Sequence, residues 1–373
     1  MIEIKKVLSK KDLKNFIDFP HELYREVTQY VPELYLAQKD LLSKKTNPFF
    51  QHSDAELFLA EKDGEIAGRI AAIQNNNHIE YTKSKDGHFG FFDVIDDYEV
   101  AESLLNTAQN WIAEKGLKKM LGPANFSTND TCGTLIEGFD SPPTVMMTYN
   151  KPYYDDFLQK FGLIKDMDLL SYKILTNDLP DKLVRLASSI LERLNRNGIT
   201  IRRANMKKFD EDVEKVLKVY NVAWEKNWGF VPMTDAEFRH TAKDMKQILD
   251  PDFLQIAELN GEPIGFVLSI PDMNVALKPL KKGRLLPFGI FKLLYHKKFV
   301  NRVRVITLGV VEEYRKLGID AYFYLKSFQE AKKKNMEYGE ASWILENNEM
   351  MNRALVNING KVYKKHRLYK KEL

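Results

Sequence analysis

AEKDGEIAGRIAAI at 60–73 and AELNGEPIGFVLSI at 257–270 align without a gap. Ala60/Ala257, Glu61/Glu258, Gly64/Gly261, Glu65/Glu262, Gly68/Gly265 and Ile73/Ile270 recur at one offset. Each stretch reads as strand, tight turn, strand, with Gly64 and Gly261 free to take a positive φ. The same offset sets IEIKKV at 2–7 over ITIRRA at 199–204, and Asn150 precedes Gly162 at the separation of Asn348 from Gly360. Matches in one order along the chain indicate a duplication. A repeat this long makes paired globular domains, since solenoid repeats are much shorter.

Outward from the hairpins, each copy reads strand, helices, hairpin, strand, helix, strand, helix, strand. In the first copy HFGFFDVI at 88–95 precedes the helix AESLLNTAQNWIAEKG at 101–116, which Gly116 ends. KKMLG, the helix YYDDFLQKFG and the strand DLLSYKIL at 168–175 follow. This alternation predicts an α/β or α+β fold, with helices on the faces of a sheet. The domains expected are 1–176 and 199–373, joined by a helical connector at 177–198. In the connector Leu183, Leu186, Ile190 and Leu194 recur at helical spacing and predict packing against a domain. Each copy also carries a long irregular insertion, at 122–150 and at 271–302. Loops of that length often bind ligands, and the Asn- and Thr-rich first one is the better substrate candidate.

The chain's 373 residues are 44% apolar and 29% charged, with a formal charge of +4, which suits a soluble, cytoplasmic protein of two or three domains. No apolar run reaches the roughly 18–20 residues of a membrane span. Cys132 is the single cysteine, which excludes a disulfide framework and a thiolate-rich zinc site. The histidines form no close ligand pair, so no metal is expected. The charge is uneven: residues 278–304 hold nine Lys and Arg and no acidic residue, a patch able to steer an anionic cofactor, an acidic substrate or tRNA.

The chemistry is carried by VVEEYRKLGIDA at 310–321. The apolar run VRVITLGVV at 303–311 leads into it, and a helix, AYFYLKSFQEAKKK at 321–334, follows. A strand-to-helix turn leaves backbone N–H groups at the helix start, and these with the helix dipole hold an anion. Gly318 lets a pyrophosphate approach the backbone. The segment resembles the acyl-coenzyme A motif of the GNAT superfamily, in which a strand runs into Arg or Gln, two residues, Gly, one residue, then Gly or Ala. Arg315 and Gly318 match; Asp320 stands at the last small position, with Ala321 after it. The first copy has Asp96, Asp97 and Glu99 at the corresponding helix start, which oppose a pyrophosphate.

The resemblance covers nearly the whole chain and implies two tandem GNAT-like domains, each a mixed, mostly antiparallel sheet flanked by helices, the first degenerate in cofactor binding. It implies an N-acyltransferase using acetyl-CoA or another acyl-CoA and a small-molecule or peptide amine acceptor, in a monomer or homodimer. Val310, Arg315, Lys316, Leu317, Gly318, Ile319, Asp320 and Ala321 would hold the donor, with Asn348 on its pantetheine arm. Glu312 or Glu313 would act as base, the Val310 N–H would polarise the thioester, and Tyr363 or Tyr314 would protonate the thiolate. The position where this family often carries that tyrosine is Val356 in the second copy and Leu158 in the first. Two further readings stand beside this one: transfer of amino acids from charged tRNA, and a non-catalytic acyl-CoA-binding module.

Overall fold

A computed structural model describes residues 1–178, 181–225 and 227–373, with 181–184 as backbone alone. The chain opens with β1 (Ile2–Lys6), α1 (Lys10–Leu23), α2 (Tyr35–Leu41), β2 (Asp54–Lys62), β3 (Glu65–Gln74) and α3 (Asn76–Thr82). Next come β4 (Asp86–Val94), α4 (Tyr98–Glu114), β5 (Lys119–Gly122), β6 (Thr134–Glu137), α5 (Tyr154–Lys160) and β7 (Ile164–Leu175). After α6 (Asp181–Arg196), the second copy begins with β8 (Ile199–Arg203), α7 (Phe209–Ala223), α8 (Asp235–Met245), β9 (Leu254–Leu259) and β10 (Glu262–Pro271). It continues through α9 (Asn274–Leu277), α10 (Gly289–His296), β11 (Arg302–Val310) and α11 (Ile319–Lys333) to β12 (Tyr338–Leu345), α12 (Glu349–Asn357) and β13 (Lys361–Glu372).

The duplication extends to backbone angles. Both hairpins turn through paired left-handed residues, Asp63 and Gly64 at φ +53° and +87°, Asn260 and Gly261 at +52° and +86°. Two positive φ values match the turn to the right-handed twist of the strands, which is why Asp-Gly and Asn-Gly occupy it. Just past each turn the register slips by one residue, before the pairs Ala60↔Gly68 and Ala257↔Gly265.

The compact units do not follow the sequence copies. One comprises Met1–Leu169, Asn274–Lys298 and Lys364–Leu373; the other comprises Leu170–Met273 and Phe299–Tyr363. These differ from the domains 1–176 and 199–373 read from the sequence, because part of the second insertion and the last strand are held in the first unit. There Asn274 Nδ2 donates to the Pro143 carbonyl at 3.0 Å. β13 pairs antiparallel with β5 (Tyr369↔Gly122) and with β6 (Arg367↔Thr134). The Arg367 guanidinium forks onto Asp168 at 2.8 and 3.0 Å, and Lys364, 1% exposed, donates to the Ser141 carbonyl at 2.8 Å. The second insertion is also not irregular: it contains α9, a single turn too short to show a period, and α10, which has no buried residue and so gives no core-facing period.

In the first unit β1 to β4 are antiparallel neighbours and β4 runs parallel to β5. α4 starts at Asp97, whose side chain accepts the Glu99 N–H. Its Val100, Ala101, Leu104, Leu105, Ala108 and Ile112 form one stripe and pack with Phe58, Ile70 and Val94 of the sheet. A buried Leu contributes about 1.5–3 kcal/mol of that packing. Phe16 and Ile17 of α1 join Leu59, Ala71 and Phe91 in a separate cluster, because alternate strand residues face opposite ways.

The second unit repeats the plan with β8 to β11 antiparallel and β11 parallel to β12. Ile319, Tyr322 and Phe323 of α11 pack with Ala257, Val267 and Val305, and Leu194 of α6 joins them. The expectation that the connector packs is met at Leu194 and Ile190 but not at Leu186, which is exposed; the Leu183 side chain lies outside the described residues. Among the described residues no helix is long and apolar enough to cross a membrane.

Candidate functional site

In the second unit β11 and β12 pair only from Arg302↔Tyr338 to Val305↔Ala341, then part. An extra residue in β11, between the pairs Ser269↔Val305 and Leu268↔Thr307, bends the strand at that point. Exposure follows the geometry: residues 303–305 and 339–342 are buried, whereas 306–308 and 343–345 are half-buried. Val311 N–H donates to the Ile264 carbonyl at 2.9 Å. In the alternating ladder the Val310 N–H therefore points to the other edge, the one β12 has left.

The strand ends in a 3-10 turn, Glu312–Leu317, and then Gly318, at φ +85° and ψ 20°, starts α11. Gly318 offers no side-chain cap, and within the helix geometry the N–H groups of Ile319, Asp320 and Ala321 have no intrahelical acceptor. Ile319 is fully buried and anchors the turn, while Lys316 and Ala321 are exposed beside it. Arg193 of α6 reaches this turn: its Nη2 donates to the Leu317 carbonyl at 2.8 Å and would lie 2.7 Å from a Cβ on Gly318. A guanidinium thus stands at the place where the sequence motif expects phosphate.

Other motif residues have different work. Arg315 donates from Nε to the Val310 carbonyl at 3.0 Å and from Nη2 to the Ala223 carbonyl at 2.9 Å, tying the end of α7 to β11. Glu312 and Glu313 are exposed in the first turn of the 3-10 helix. Asn348 caps α12, its Oδ1 accepting the Met351 N–H at 3.2 Å. Tyr363 donates to the fully buried Glu340, and burial followed by Glu340 raises its pKa far above an ordinary phenol's. Its proton is held by that carboxylate rather than offered to a leaving thiolate.

The first unit also splays its central pair, after His88↔Leu121, but opens there into a cavity of about 300 Å³. Phe91, Phe92 and Asp93 of β4 line it, as do Tyr24, Tyr30 and much of the 131–150 loop. The Asn- and Thr-rich insertion therefore does form a wall, and Asn125 Oδ1 accepts the Phe91 N–H at 2.8 Å where the strands part. Asp93 meets Arg69 Nε at 2.8 Å and the Tyr24 hydroxyl at 2.8 Å, and Arg69 also donates to the Phe16 carbonyl. Arg69→Met is expected to cost about 3–5 kcal/mol in urea unfolding by leaving Asp93 buried beside no cation; a loss below 1 kcal/mol would show the ion pair to be dispensable.

Glu33 lines the same cavity, exposed to it. The surrounding protein raises its carboxyl pKa; Arg69 opposes that shift and Asp93 adds to it. His21, with Nδ1 3.0 Å from the Tyr30 hydroxyl, is pushed down to about 4, chiefly by burial and then by Arg69, so its imidazole is neutral at physiological pH. An apolar-walled cavity with one carboxylate of raised pKa suits an amine that must lose a proton. The start of α4 does not suit an anion, since Asp97 caps it and pairs with Lys62.

No protein-family model matches the sequence. It is 35% identical to Protein YghO of Escherichia coli, over 99% of this chain and 95% of that protein. It is 34% identical to the bacterial ceramide synthase of Caulobacter vibrioides, over 98% and 96%. A solved tandem GNAT protein from the clavulanic acid biosynthesis pathway superposes with a TM-score of 0.59 at 10% identity, over all of this chain and 98% of that one. The chain belongs to the family of these two curated relatives, and it has the fold of the tandem GNAT protein.

Within that fold, the motif segment forms the turn before α11. Sequence reading missed Arg193 and Glu33. Arg193 was visible only as one of several basic residues late in the connector helix. Glu33 stands alone between apolar neighbours in YVPELYL, a weak signal of a carboxylate set in an apolar wall.

Proposed function

We propose that this tandem GNAT protein transfers an acyl group from acyl-CoA to the amine of a long-chain amino alcohol. The observation that carries the donor half is the parted β11–β12 pair running into Gly318 and the uncapped start of α11. There the N–H groups of Ile319, Asp320 and Ala321 receive the pyrophosphate, and Arg193 adds charge. The Val310 N–H, on the open edge of β11, donates to the thioester carbonyl as negative charge develops.

The acceptor half rests on the first unit's cavity. Its Phe, Tyr, Val and Met walls bury an alkyl chain, each methylene contributing about 0.8 kcal/mol. In that cavity Glu33 takes the proton of the bound ammonium; acyl transfer then joins the freed nitrogen pair to the carbonyl carbon. A C–N bond forms, the C–S bond breaks, and the thiolate leaves to be protonated by water. The Caulobacter relative's name supports this acceptor class, because a ceramide is an N-acylated long-chain amino alcohol.

Purified protein given palmitoyl-CoA and sphinganine is expected to yield the N-acyl product by mass spectrometry, with free thiol released in equal amount. Acetyl-CoA with short amines is expected to give little turnover. The reverse preference would return the reading to a small-molecule acetyltransferase.

A further inference from the structure

Residues 274–298 belong to the first unit, and their inner part is firmly tied down. Asn274 and Leu277 line the cavity. Arg284 donates to both oxygens of Asp18 at 2.8 Å and lies 3.9 Å from the centre of the Tyr35 ring. Lys282 pairs with Glu22. Gly283 backs so closely on Glu33 that a Cβ would sit 1.7 Å from the Glu33 carbonyl oxygen. The loop is thus built onto the segment that carries the cavity's carboxylate.

The outer part has the opposite character. Leu286, Phe288, Phe291, Leu294 and Tyr295 are 79, 70, 67, 57 and 59% exposed, and no residue of α10 is buried. A patch of that size on a water-facing surface marks an interaction site. Lys281, Lys292, Lys297 and Lys298 are exposed among these side chains, and no Asp or Glu occurs from Met273 to Val311. α10 has eight residues, about 12 Å, far too short to span a bilayer. Apolar rings and leucines with lysines alone for charge are the composition of a helix lying in a lipid interface. The single sign of charge complements lipid phosphate.

We propose that α10 and its flanking residues dock on an anionic phospholipid bilayer. The phenylalanines and leucines enter the boundary of the acyl chains, and the lysines meet the headgroup phosphates. This docking goes beyond the acyl-transfer reading and does not depend on it. Because the same insertion forms part of the cavity wall, docking brings the cavity within reach of a lipid that never leaves the membrane.

The test is flotation of the full chain with vesicles of phosphatidylcholine alone or mixed with phosphatidylglycerol. Wild-type protein is expected to float with the mixed vesicles, and less so as salt is raised. F288S/F291S/L294S and K292E/K297E/K298E are each expected to lower partition by about tenfold or more. Since these side chains are exposed, both variants should match the wild type in circular dichroism and melting. Wild type left unfloated by mixed vesicles, or variants that float as it does, would overturn the proposal. So would a dimer that F288S/F291S/L294S converts to monomer without any flotation, which assigns the face to a second copy. tRNA binding lost in K292E/K297E/K298E, again without flotation, would assign it to nucleic acid.

Discussion

Gly318→Trp should reduce coenzyme A affinity about a hundredfold or more, read by titration calorimetry, while leaving a folded protein. A left-handed φ of +85° admits glycine freely and strains any other residue. That strain costs about 1–3 kcal/mol of stability. The indole would also displace Arg193, whose Nη2 lies 2.7 Å from the new Cβ position, and would cover the N–H groups at the start of α11. Gly318→Ala carries the same backbone strain without the bulk, so it should lose stability but keep most of the affinity. Wild-type affinity in the Trp variant would remove the phosphate turn from the donor site, and with it the acyl-CoA reading.

Glu33→Gln should lower kcat by about 10²–10⁴, the usual contribution of a placed general base, with KM nearly unchanged. The pH profile decides the role. A base works only when deprotonated, so activity should rise with pH through the folded pKa of Glu33. The surrounding protein raises that value, so the acid limb should fall above the ordinary glutamate range near about 4.3. In Glu33→Gln the limb should vanish and leave a flat, low rate. A variant that keeps the limb would pass the proton to another group. His21 is the poorer candidate, because burial already holds its pKa down to about 4.

The two predictions differ in how far the sequence foretold them. The donor turn is local: a strand, a glycine and a helix start within a few residues, so pattern alone places Gly318 and Ile319. The hairpins are local too: Gly64 and Gly261 stand at their turns in the sequence, and both take a positive φ. Glu33 becomes chemical only because Arg69, Asp93 and the 131–150 loop gather round it, and no periodicity encodes a meeting of such distant segments. Tyr363 and Asn348 have partners that were not legible for a related reason. Each has a family-like position, but Tyr363 is engaged by Glu340 and Asn348 by the Met351 amide, partners that spacing does not reveal. α10 was missed because amphipathic reading assumes that an apolar face seeks protein.

The register of β13 against β5 and β6 has a consequence for how the protein is made. Residues 364–373 fill a place in a unit whose other strands are translated before the second copy. That unit emerges with a gap in its sheet and stays unzipped until translation has passed through the entire second copy. A gene split between the two copies would therefore not give two self-sufficient halves; the early half would wait, with an open strand edge, for ten residues encoded after most of the second copy.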